Sequence, residues 1–473
     1  MQFVLRGEND QNNPTLARAY GHQSTAGRVV LFDREGDRTK YILALSQGGK
    51  YGCDGIDEFH YNGFTVPQFE AGHAGDEVYR NWKFHPGTKS LGYTDPLQGR
   101  PVFFPDIEFT FSGICYLEVK LPSAQSPAEG ESPDGSEVFM RGLKVMVYEL
   151  VDGLLQETDP AFSANNAWVA LDVLREVAKL SLSRMQKWAQ SWMDYAARCD
   201  GLILWDQGSD AGGVVEIPRY EAGVVFPNSL SPVAAFQTVI DRSPGVDWQD
   251  VNGGIRILPN PDRDLVHSFN SFNILKKGVT LTPPDPSNVF NYFLFLFRDI
   301  DDVDPGTSQL LYRQRKVEVD FPALRDANGG KLRRYGPVDL GGGPMHQSLA
   351  ERIAWYTARQ VTAINAVRDM TEEPISPLQF EVKGQMDSLH LAKADYCEIT
   401  DHYMVGIATP LCKVRREVTH AKRGERTFNV QLTARDCYRD TDHTIRSGSP
   451  VALATEEGTV LTTEAGEPIK SET

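Results

Sequence analysis

The stretch SQGGKYGCDGIDEFHYNGFTVP, Ser46–Pro67, decides how the chain is to be read. Glycines, acids and one cysteine lie between two apolar runs, as they would in a nucleotide cradle, a metal loop or a strand-joining turn. Gly48, Gly49, Gly52 and Gly55 do not spell G-x-G-x-x-G ahead of a helix, nor a Walker loop ending in Lys-Ser/Thr. Gly55 leads into a strand pattern, not a helix whose N-terminus could hold phosphate. Glycine at Gly48, Gly52 and Gly63 is expected to serve tight turns needing positive φ. The stretch is read as a structural loop.

The surrounding sequence is β-like. Arg28–Phe32, Tyr41–Leu45 and Ile56–Tyr61 are short branched and aromatic runs bounded by turn residues. Ile114–Leu121 alternates apolar with polar, and Val138–Leu150 reads as a long strand bent at Gly142. Residues Pro122–Glu137 between them are polar, acidic and rich in Pro, Ser and Gly, which reads as a mobile loop. Helices come next. Asn165 and Asn166 can cap the run from Ala167, and Ser183 opens a second helix with Met185, Trp188, Trp192 and Tyr195 near one face. Ser231–Arg242 is a third, with proline in its first turn. Strands return at Val289–Phe297 and Gln314–Asp320, a helix spans Gln347 to about Val361, and Leu378–Tyr438 is β again. No fixed-period repeat is visible.

At 473 residues the chain exceeds one ordinary core, and 41% hydrophobic with 10% aromatic residues is globular composition. No apolar run is long enough for a membrane-spanning helix. Met1–Pro14 places Arg6, acids and amides where a secretory signal needs an apolar core. The formal charge of −16 argues against a general nucleic-acid binder, since phosphate needs clustered Lys and Arg. An acidic wall would still let DNA slide past without sticking. The six cysteines (Cys53, Cys115, Cys199, Cys397, Cys412, Cys437) form no C-x-x-C pair, and buried free thiols are expected.

Motifs for chemistry are wanting. DIDDVDPG, Asp299–Gly306, departs from a calcium loop at Val303 and at Leu310 in the twelfth position, so it reads as a strand-to-loop junction. The ten histidines form no zinc helix, and neither a nucleophile elbow nor a Cys/His signature is present. The expectation is no catalytic, cofactor-binding or metal-binding residue, no cofactor, and no enzymatic activity.

Several ordered segments carry a resemblance instead. Ile42–Gly63 looks like the strand–turn–strand of phage tail-tip proteins. Asn165–Leu174 is similar to their N-P-A-W helix, with Asn166, Trp168, Asp172 and Leu174 matching and Ala167 standing where proline is common. Arg219–Ile240, Gly253–Asn260, Asn288–Asp301 and Ser348–Gln360 come after it in the corresponding order. Leu389–Asp401 takes the place of L-x-P-G-D-h-V-x-h-T-D, with Lys393-Ala394-Asp395 for Pro-Gly-Asp. Together these resemble the central tail hub, or tip attachment protein J family, of long-tailed bacteriophages, which is related in fold to the baseplate hub of contractile tails.

The resemblance implies a mainly β, multidomain, ring-forming hub: small tail-tube-type β-barrel or sandwich domains with α+β insertions. The expected division is a β-rich tube-like domain over 1–155, a helical connector over 156–220, an α+β domain over 221–375, a second tube-like barrel over 376–446 and a peripheral tail over 447–473. It also implies a structural virion protein at the distal end of the tail, a homotrimeric pseudo-sixfold ring closing the tube. That ring would adapt sixfold to threefold symmetry and serve host attachment and genome ejection. Implied partners are distal tail and tail tube proteins, the tape measure protein and receptor-binding, fibre or spike proteins, with DNA passing the lumen unbound; the net charge of −16 adds the expectation that the lumen is acidic. The chain ends soon after the hub-like part, so another protein is expected to contact the host. Two other readings compete: the hub or spike of a contractile injection system, and a multidomain carbohydrate-active enzyme using paired carboxylates.

Overall fold

The run Tyr41–Leu45 lacks polar alternation because both faces of its strand are covered. In the computed structural model, strand Arg38–Gln47 lies between Arg28–Glu35 and Ile114–Pro122 in a five-stranded antiparallel sheet, with Gln2–Phe3 and Asn81–His85 at its edges. Successive side chains point to opposite faces. Tyr41, Leu43 and Leu45 enter the main core, while Ile42 packs with Leu31, Phe103, Phe104 and Tyr116 on the other side. The structure describes residues 2–3, 16–35, 38–62, 64–66, 81–88, 101–104, 113–122, 136–206, 214–227, 229–259, 265–270, 272, 274–282, 290–304, 306, 309–327, 329–362, 379–384, 391, 395–399, 411–418 and 428–434. The polar loop over 123–135, Gly63, Cys437, the tail over 447–473 and parts of the segment 389–401 lie outside the described residues.

The stretch Ser46–Pro67 carries the chain between sheets. Gln47 ends one strand, and Cys53–Tyr61 belongs to a second sheet, against the long strand Ser136–Val151. Gly49 and Gly52 have positive φ, at 58° and 80°, whereas Gly48 does not. Gly48 answers to space: a Cβ there would lie 1.9 Å from the Gly87 carbonyl oxygen. The long strand Ser136–Val151 runs on through Gly142. Either side of it the strand changes partner. Val138–Arg141 pair with His22–Thr25, and from Lys144 onward the partner is Leu154–Phe162. Asp152 and Gly153, both at positive φ, close that hairpin as Asp-Gly turns do.

Helix Asn166–Asp172 starts where Asn165 accepts a hydrogen bond from the Ala167 N–H. It continues as a π-turn over Val173–Val177, so the expected single helix changes pitch at Asp172. The aromatic segment is likewise two helices, Ser183–Gln186 and Ala189–Asp200, broken at Lys187–Trp188. Met185, Trp192 and Tyr195 are buried, which makes the stripe core packing. Helix Pro232–Asp241 is capped by the Ser231 hydroxyl with proline at its start. The hairpin Asp247–Val251/Gly254–Leu258 turns at Asn252-Gly253.

The remaining β-structure is nested. Strands Leu265–Phe269 and Ile274–Thr282 are the outermost members of a six-stranded sheet completed by Gln379–Gly384, Tyr396–Ile399, Leu411–Val418 and Phe428–Ala434. Between its strands the chain builds a three-stranded sheet, Gln314–Asp320, Tyr292–Arg298 and Arg334–Asp339, and helix Gln347–Thr362. The Ile274 N–H donates to the Asn270 carbonyl at 2.9 Å, so the two outermost strands nearly touch at that turn. In a flat sheet they would stand about 24 Å apart, at about 4.8 Å per strand. The sheet therefore curls, bringing the end of one edge strand beside the start of the other. Among the described residues no sheet closes into a barrel; the small β-units expected from the sequence are open and curled.

One apolar core runs from Tyr20 to Ala358 through the N-terminal sheets, the helices and the three-stranded sheet. Trp192 sits within it, fully buried, its indole N–H donating to the Ile255 carbonyl at 3.0 Å. Trp192→Ala is expected to lower unfolding free energy by about 3–5 kcal/mol in denaturant titration. Trp188→Ala, whose half-buried ring lies under Arg256, should cost less.

Candidate functional site

Backbone meets backbone where the N-terminal strands, the helices and the three-stranded sheet join. Strand Arg18–Tyr20 pairs with Val224–Phe226. At Gly21, φ is +69°, and an added Cβ would lie 1.9 Å from the Ala222 carbonyl oxygen. One at Gly223 would meet the Pro344 carbonyl at 2.6 Å, and one at Gly142 the Ala19 carbonyl at 2.4 Å. Hydrogen bonds close the stack: the Gly142 N–H donates to the Gly21 carbonyl at 2.8 Å, and the Gly343 N–H donates to the Gly223 carbonyl. The sequence suggests a bend at Gly142, but nothing local says that it stacks on Gly21, or that Gly343 and Pro344 meet Gly223.

Polar side chains ring this crossing. The Tyr20 hydroxyl donates to Asp172 Oδ2 at 2.6 Å, at the step from α to π pitch. Burial pushes the Asp172 carboxyl up to about 6, helped by Glu176 and opposed by the Tyr20 hydrogen bond, Arg18 and Arg175. Arg242 is buried against the Gly341 carbonyl, and burial draws its guanidinium down to about 10 despite Asp339 and Glu221 nearby. Buried Arg352 donates to the Arg219 carbonyl at 2.6 Å and lies over the Tyr220 ring.

The acidic run Asp299–Gly306 lies beside the crossing, where the Ile300 N–H donates to the Met345 carbonyl at 3.1 Å, and its first three acids are paired by the protein. Asp302 accepts a two-pronged contact from Arg313 and a further bond from Arg315, and Arg313 holds it below the usual carboxylate range. Asp299 pairs with Arg315 at 2.9 Å, and Asp301 with His346 Nδ1 at 2.8 Å. Burial alone would lower His346, but Asp301 and Glu221 raise it above its ordinary value. The next loop clasps the N-terminal sheet. The Leu310 N–H donates to Glu58, Gln309 to Thr65, and Tyr312 meets the Phe139 ring edge-on. The run is a strand-to-loop junction with its charges spoken for.

Among the described residues, no three His, Cys, Asp or Glu side chains are grouped so as to hold a metal ion. Cys53, Cys115, Cys199 and Cys397 are free buried thiols. No helix among the described residues is long and apolar enough to cross a membrane. The arrangement holds these segments at fixed separation and pairs buried charge.

Two measurements test the junction. Gly21→Ala is expected to destabilise by roughly 2–4 kcal/mol, because strained φ and collision act together. Gly153→Ala has a similar φ but nothing within 4 Å, and should cost about 1 kcal/mol. Asp172 supplies a pH dependence. Its raised pKa means that the folded chain holds an extra proton between about pH 4 and 6. Stability from this group is therefore greatest at acid pH and falls as pH rises through that window, by roughly 2 kcal/mol allowing for partial exposure. Asp172→Asn should flatten that slope in urea midpoints measured from pH 4 to 7.

No protein-family model matches the chain, and no curated protein matches it. Solved structures do. A chain from the virion of a native gene transfer agent particle aligns with a TM-score of 0.52 at 13% identity, covering 95% of this chain and 91% of that one. A 43 kDa tail protein of prophage MuSo2 from Shewanella oneidensis aligns at 10% identity and TM-score 0.31, covering 90% and 99%. The tail protein from Neisseria meningitidis MC58 gives 12% and 0.30, covering 91% and 97%. At these identities only the first comparison carries weight, and it concerns fold: the chain shares its overall fold with a component of a virion particle.

Proposed function

We propose that the chain is a structural subunit of a phage-type tail, the central hub of a tail tip or baseplate. Three copies form a pseudo-sixfold ring that closes the tube, adapts sixfold to threefold symmetry and anchors receptor-binding or tip proteins for host attachment and genome ejection. One observation carries this reading: the fold is shared with a virion component over nearly the full length of both chains. The ordered motifs from Ile42 to Asp401 support it independently.

The tube-like units of this reading are the N-terminal sheets and the curled six-stranded sheet, with the three-stranded sheet and helix Gln347–Thr362 inserted between strands of the latter. Such a subunit needs faces that tile, and it needs its segments held at fixed spacing under load. The glycine crossing supplies that spacing. No catalytic role is assigned. The net charge of −16 suits a bore past which DNA slides without binding. The chain then resides at the distal end of the tail, with tube, tape measure and tip proteins as neighbours.

Light scattering on the purified chain is expected to give a trimer, or a monomer that trimerises when tail partners are added. A stable dimer counts against the hub. A low-resolution image of the particle should place the chain on the threefold axis at the tail end; a peripheral position overturns the reading.

A further inference from the structure

Two cysteines that are distant in sequence and lie on different sheets meet in the core. Cys53 opens strand Cys53–Tyr61 opposite Leu143, and Cys115 stands in Ile114–Pro122 opposite Ser46. The segment Ser46–Gln47 joins their surroundings: the Cys53 thiol reaches the Gln47 carbonyl at 4.0 Å. The segment Pro86–Gly87 closes the other side. The Cys53 N–H donates to the Pro86 carbonyl at 2.9 Å, and a Cβ on Gly87 would lie 2.5 Å from the Cys115 nitrogen. Both cysteines are completely shielded from solvent. Burial raises the Cys115 thiol well above its ordinary range, and the neighbouring Cys53 thiol adds to the rise.

We propose that Cys53 and Cys115 form an oxidation site, a dithiol that peroxide converts to a disulfide linking the two N-terminal sheets. One sulfur, as thiolate, attacks the O–O bond of hydrogen peroxide and becomes a sulfenic acid. The displaced hydroxide takes up the proton that the thiol released and leaves as water. The neighbouring thiol then attacks the sulfenic sulfur, its proton leaving with the hydroxyl as a second water. Two thiols and one peroxide give one disulfide and two waters. Burial slows the first step, so the pair stays reduced in a reducing cytoplasm. Adjacency makes the second step fast, which diverts the sulfenic acid from further oxidation. Closing the long loop between the two residues restricts the unfolded chain and strengthens the fold. The device suits a protein that is assembled inside a cell and used outside it.

The experiment uses the full chain. It is titrated with hydrogen peroxide, unfolded in iodoacetamide, digested and read by mass spectrometry, with Tm followed in parallel. A Cys53–Cys115 disulfide peptide is expected as the main cross-link, together with a Tm increase of several degrees that dithiothreitol reverses. In Cys115→Ser that Tm gain should vanish, with Cys53 recovered as the thiol or sulfinic acid. Cys199, buried beside Tyr195, is the internal control and should form no disulfide. Linkage between Cys397 and Cys412, whose backbone positions stand opposite each other, is scored separately. The proposal is overturned if Cys53 and Cys115 are both alkylated at doses that oxidise methionine. It is equally overturned if Cys53 reaches the sulfinic acid as fast in wild type as in Cys115→Ser. Should the variant fail to fold, the wild-type peptide map alone decides.

Discussion

The close approach of Gly21, Gly142 and Gly223 to neighbouring backbone is the constraint on which the rest of the structure depends. Side chains normally separate packed elements by about 10 Å. Here carbonyls and amides of separate segments stack with nothing between them, so distance is fixed by covalent geometry and hydrogen bonds. The strand pairing of Arg18–Tyr20 with Val224–Phe226 and the hydrogen bond from Gly343 to Gly223 depend on that approach. So does the uninterrupted passage of Ser136–Val151 from one strand partner to another. An apolar interface of the same size could slide or repack. A backbone crossing cannot do so without losing its hydrogen bonds.

Charge is handled on the same plan. A chain with 64 acidic residues repels itself, and the acids near the junction are each given a specific counter-group. Asp302 has Arg313 and Arg315, Asp301 has His346, and Glu58 bonds both His60 and the Leu310 amide. Buried arginines are treated in the opposite way, satisfied by carbonyls and aromatic faces: Arg242 on Gly341, and Arg352 on Arg219 and Tyr220. Paired or hydrogen-bonded groups avoid most of the cost of an isolated buried charge.

The sheets show how local pattern and topology divide the work. The alternation in Tyr292–Arg298 sends Phe293, Phe295 and Phe297 inward, as period-two patterning requires. The strand Leu154–Phe162 carries little sequence signal because most of its side chains are exposed and its apolar residues do not alternate, although Asp152-Gly153 announces the hairpin that makes it. The break at Lys187–Trp188 and the π-turn after Asp172 were also invisible in sequence. Each lies at a contact with a distant segment: Trp188 packs under Arg256, and Asp172 bonds Tyr20.

Sequence alone determined the mainly β character, the cap at Asn165, the helix that begins at Ser231, and the absence of known nucleotide and calcium motifs from Ser46–Pro67 and Asp299–Gly306. These depend on side-chain periodicity and turn chemistry, which act within a few residues. Only the tertiary structure decided which glycines touch, that Cys53 meets Cys115, and that the outermost strands of a six-stranded sheet curl together at Asn270–Ile274. Those are encounters between distant segments. They are set by the packing of the whole core, and no local pattern encodes them.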